Sequence, residues 1–116
     1  MMIEEPAIAF CVREHEEPAL EVRINFGVFA GRQATPAEID ELAHALARHV
    51  DEFSVVAEQR HEFARAVEAS LHQVRVEVAR EAVTGDAAAL CDDLIAAADT
   101  WAQACIAERH AEVSEL

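Results

Sequence analysis

The chain has 116 residues, 53% of them apolar, with 23 Asp or Glu against nine Lys or Arg and a formal net charge of −14 at pH 7. That length makes one domain spanning 1–116 with one core, ordered over about 7–110, and that apolar share excludes a disordered chain. The charge repels phosphate backbones and anionic membranes, and no basic run counters it, so the reading is of no nucleic-acid and no membrane partner.

Five Phe, one Trp and no Tyr leave an aliphatic core and few platforms for stacking bases or sugars. Every basic residue is Arg. Three cysteines form no CxxC and are odd in number. The acidic opening segment is no signal peptide, and no run of 18 apolar residues exists, so a reducing, cytoplasmic setting is expected.

In chain order, Ile8, Phe10 and Val12 alternate over 7–13 and predict a short strand. A polar turn at His15–Pro18 follows. Leu20, Val22, Ile24, Phe26 and Val28 then alternate with Glu21, Arg23, Asn25 and Gly27, which predicts a strand over 19–29 with one dry and one wet face. The two strands are expected to pair as an antiparallel hairpin. Thr35 as N-cap, Pro36 at the first helical position and Glu38 three residues after the cap predict a capping box. Ile39, Leu42, Leu46 and Val50 recur at helical spacing, so a helix is expected over 36–49, its other face, including Glu38, solvated. Strand, helix and a strand starting at Phe53 form a βαβ unit.

Residues 53–79 admit two readings. As a hairpin, Val55 opposes Val76, Ala57 opposes Val74 and Gln59 opposes His72, a register that gathers the apolar residues of both strands on one face. As a helix over 58–83, Phe63, Val67, Leu71, Val74 and Val78 also fit, and the Ala, Glu and Arg content favours it. The tip at 63–68 has no Gly, Asn or Pro, which weakens a hairpin. The Val-Arg-Val-Glu-Val run strands Val76 outside a helix. The hairpin is adopted here, with a bulge or helical turn expected at its tip. After Thr84-Gly85-Asp86, Leu90, Leu94, Ala98, Trp101 and Cys105 with Cys91, Ile95, Ala102 and Ile106 predict a helix over 86–110.

The expected fold is α+β: a two-layer sandwich in ββαββα order, with a mostly antiparallel four-stranded sheet (7–13, 19–29, 53–61, 70–79) and two helices on one face. It resembles split-βαβ, ferredoxin-like packing with one strand fewer, an architecture that hosts unrelated activities.

No metal or cofactor site is expected. His44 and His49, five apart, project about 140° from each other on a helix. His61 and His72 are expected on opposite sides of the sheet. Cys91 and Cys105 read as small core residues, and Cys11 as out of phase and exposed. Cys11 would need Arg13 and His15 to act as a nucleophile. Asp92, Asp93 and Asp99 read as helix surface.

The candidate ligand surface is the wet sheet face, with Glu21, Arg23, Asn25, Glu58, Arg60, Gln73, Arg75 and Glu77. Forked arginine donors suit carboxylates and phosphates. The same residues also suit cross-strand ion pairs or an oligomer interface. Arg32, beside Gly31 in the loop 29–36 before a helix start, is a second candidate anion contact. No catalytic set is legible. The expectation is a non-enzymatic interaction or accessory module, self-associating as a homodimer or binding another protein. The rival reading is an anion- or zwitterion-binding sensor.

Overall fold

The structure, a computed structural model, describes residues 8–13 and 19–114. The predicted turn at 15–18 lies outside them. Strands β1 (Ala9–Arg13), β2 (Leu20–Ile24), β3 (Ser54–Ala64) and β4 (Val67–Val78) form one antiparallel sheet in the order β1-β2-β4-β3. Helices α1 (Phe26–Ala30), α2 (Pro36–Leu46) and α3 (Ala87–Ser114) complete the fold, with a 3-10 turn at Arg80–Ala82. β2 and β3 both run antiparallel to β4, so they point the same way with β4 between them.

Leu20, Val22 and Ile24 of β2 and Val74, Val76 and Val78 of β4 share one face and are buried. They join Leu42 and Leu46 of α2 and Leu94, Ala98 and Trp101 of α3 in a single core. Alternation put these side chains on one side of each strand, and the helices bury them there.

The 53–79 segment is a hairpin. Val55 pairs with Val76, Ala57 with Val74 and Gln59 with His72, and the ladder runs unbroken from Ser54↔Glu77 to Ala64↔Val67. It closes on two residues, Arg65 (φ 52°) and Ala66 (φ 65°). Positive φ at both positions is the pattern of a type I′ turn, whose twist matches that of the strands. Here it is made without Gly or Asn. β2 reaches only Val74–Val78, so the hairpin continues beyond it as a two-stranded arm of about 23 Å.

Two expectations are corrected. The 19–29 strand stops at Ile24, and Phe26–Ala30 is a short helix. Phe26 and Ala30, four apart, both turn inward, while Val28 is 47% exposed. Asn25 and Gly27 are poor strand formers, and Gly31 ends the turn in the left-handed region with its N–H on the Gly27 carbonyl. The change is sterically tied to Gly27, whose added Cβ would lie 2.8 Å from the main chain of His72 on β4. The second correction is the phase of β1. Ala9 pairs with Ile24 and Cys11 with Val22, so Ala9 and Cys11 face the core while Phe10 and Val12 share the ionic face with Arg23 and Glu21. Both faces of β1 are apolar, so alternation alone left the phase open; the docking of Cys11 on α3 decides it.

Candidate functional site

The wet face of the sheet is an ion-pair lattice. In the register, Glu21 stands opposite Glu77 and Arg23 opposite Arg75, two like-charge cross-strand pairs. Such pairs repel, and contacts along and diagonal to the strands resolve them. Arg23 bonds Glu21 at 2.8 Å, and Arg75 reaches Glu21 at 3.1 Å and both Glu58 and Glu77 at 3.5 Å. Glu21 is only 4% exposed and lies at the centre. Burial opposes the charge on Arg75, but the Glu21 hydrogen bond and the neighbouring Glu58 and Glu77 outweigh it and hold the guanidinium firmly protonated. Beside the lattice, Gln73 donates from its amide to Asn25 Oδ1 at 3.0 Å.

So Glu21, Arg23, Glu58, Arg75 and Glu77 are brought together, with Asn25 and Gln73 adjoining. Three carboxylates surround two guanidinium groups, and among the described residues one donor, Arg75 Nε, is buried without a hydrogen-bond partner. The Arg60 side chain lies outside the described residues.

Arg32 does not join this group. Its two terminal nitrogens bond both oxygens of Glu38, at 2.6 and 2.7 Å, while its guanidinium carbon lies 5.4 Å from the centre of the Phe26 ring. The predicted capping box is present: Thr35 Oγ1 accepts from the Glu38 N–H, and Glu38 accepts from the Thr35 N–H. The expectation of a solvated Glu38 is corrected. It is buried, its main-chain carbonyl accepts the Trp101 indole N–H at 2.8 Å, and the Trp101 ring lies 5.2 Å from that of Phe26. The Arg32 guanidinium holds the Glu38 carboxyl down at about 2, against the pull of burial and with help from Thr35.

Cys11 and Cys91 form a disulfide joining β1 to α3, across 80 residues of sequence. This corrects the reading of Cys11 as an exposed thiol and of Cys91 as a packing residue only. No spacing rule announced it; the signal was the shared phase of Cys11 and Ala9. Cys105 is free and buried, its thiol pushed up to about 12 chiefly by burial and then by its bond to Glu38. A thiol so high is protonated at neutral pH and a poor nucleophile.

His61 and His72 are corrected to one face, because His61 opposes Ser70 and His72 opposes Gln59. His61 Nδ1 lies 2.7 Å from Glu68, and Gln59 donates to Ser70 Oγ at 2.6 Å. Among the described residues no three His, Cys, Asp or Glu side chains converge as a metal site, and no helix is long and apolar enough to cross a membrane. A groove of about 510 Å³ runs between α2 and α3, floored by Ala45, Ala97 and Trp101 and rimmed by Arg48, His49 and Asp93.

No known family matches the chain, and comparison with curated proteins and with solved structures returns no match.

Proposed function

We propose that this chain is a non-enzymatic interaction or accessory module that acts as a homodimer. One observation carries the reading: the β3–β4 arm projects past the sheet and ends in Phe63, 73% exposed, and Val67, 67% exposed. The register places Phe63 on the core-side face of the ribbon and Val67 on the ionic face, and a large apolar side chain free in water at an open sheet edge is a point that a protein partner covers. Two of the arginines that could take an anion are engaged within the chain. Arg32 is held by Glu38, and Arg75 by three carboxylates. The charge of −14 disfavours nucleic acid and anionic membranes. A cytoplasmic setting is part of the proposal. Disulfides are rare there, so thiol trapping in cells finds Cys11 and Cys91 largely reduced if the setting is right. Light scattering at two protein concentrations tests the self-association; a monomer at both removes the reading.

A second reading, an anion or zwitterion bound on the charged sheet face, is favoured by the unpartnered Arg75 Nε. Its ligand must displace a carboxylate from Arg75. A thermal-shift screen with anionic metabolites tests it, and a shift that survives in Arg23→Ala or no shift at all counts against it.

A further inference from the structure

We propose that two copies join through β3, edge to edge and antiparallel, making one eight-stranded sheet with each Phe63 seated against the other copy. This rests on the self-association reading and names its surface.

β3 is an outer strand, and no described strand pairs with its far side. It is eleven residues long, about 36 Å, with no bulge, Pro, Gly or Lys to discourage pairing. Its own sequence selects a register. A two-fold axis through Gln59, the midpoint of Ser54–Ala64, lets all eleven residues pair. Glu58 then falls opposite the partner's Arg60, and Val55 opposite the partner's Phe63. An axis at residue 58 sets Glu58 against itself. One at residue 60 sets Arg60 against itself and Glu58 against the partner's Glu62. One at residue 61 leaves Val55 unpaired. Like charges directly opposite are unfavourable and unlike ones favourable, so the register that uses the whole edge is also the one that pairs the charges.

A second feature lies where this register needs it. A shallow apolar hollow of about 240 Å³ is lined by Ala43, His44 and Ala47 of α2 and by Phe53, two residues before Val55. A side chain opposite Val55 is within diagonal reach of position 53 on the same face. The partner's Phe63 therefore leaves water for this hollow, and the two-fold repeats the contact.

Gln59→Cys tests the register, because residues paired on a two-fold have Cα atoms about 4.5–5.5 Å apart, within disulfide range. Asp92→Cys, on the exposed side of α3, is the control. Phe63→Glu, at a side chain already in solvent, tests the hollow, and circular dichroism shows that it folds. The expected results are a dimer mass for the wild type, near-complete cross-linking of Gln59→Cys under mild oxidation, little for Asp92→Cys, and a dimer dissociation constant raised about ten-fold or more in Phe63→Glu. A wild-type dimer in which Gln59→Cys cross-links no better than Asp92→Cys overturns the β3 interface and leaves self-association standing. Unchanged dissociation of Phe63→Glu overturns the seating of Phe63. A wild type that stays monomeric overturns both this inference and the reading beneath it.

Discussion

Arg32 closes on Glu38 with both guanidinium nitrogens where α2 begins, and the peptide carbonyl of the same Glu38 holds the indole of Trp101 on α3. Glu38 thus caps a helix and ties two helices together, and Arg32 neutralises its buried charge.

The pH dependence follows. Glu38 titrates at about 2 in the folded chain against 4.5 for a free carboxyl. A lowered folded value contributes stability that is fully present above pH 4.5 and is lost as the pH falls from 4.5 toward 2. The loss is on the order of 3 kcal/mol. Urea unfolding at pH 7, 4.5 and 2.5 measures it, and Glu38→Gln removes most of this limb. An unchanged acid slope in that variant contradicts the assignment.

Reduction of Cys11–Cys91 destabilises the fold. Closing a loop of 80 residues restricts the unfolded chain, an effect of about 2–4 kcal/mol. Dithiothreitol therefore lowers the thermal midpoint by about ten degrees. Alkylation in denaturant followed by mass spectrometry counts one free thiol before reduction and three after. Three at the outset disproves the bond.

Gly27→Ala costs about 1–3 kcal/mol, because the new methyl meets the His72 backbone at 2.8 Å and either α1 or β4 must shift. Calorimetry reads the loss. A neutral result means that α1 lies farther from β4.

Replacing Arg65-Ala66 with Asn-Gly stabilises the hairpin by about 1–2 kcal/mol, since both positions sit at positive φ. Denaturant midpoints check the gain. A loss instead shows that the tip is not a two-residue turn.

Legibility in the sequence tracked how one-sided each pattern is. The β3–β4 register was readable to the residue because Val74, Val76 and Val78 on one parity and Gln73, Arg75 and Glu77 on the other leave one alignment with Val55 and Ala57. The α2 cap was readable because Thr, Pro and Glu each fill a defined place. β1 was not, because Phe10 and Val12 are as apolar as Ala9 and Cys11. Residues 26–30 were not, because Ile24, Phe26 and Val28 continue a strand rhythm that Gly27 and the nearness of β4 break. On the site, alternation gathered Glu21, Arg23, Arg75, Glu58 and Glu77 correctly on one face. It did not reveal that Glu21 sinks to the centre or that Arg32 turns toward Glu38, since both depend on chain segments meeting across the fold.

Trp101 is the sole indole in a chain that has no Tyr. Its ring rests near Phe26 and its N–H is held by the Glu38 carbonyl. Intrinsic fluorescence from this protein is therefore the signal of a single chromophore at the α1–α2–α3 junction. The emission maximum becomes a label-free reporter of whether that junction is shut.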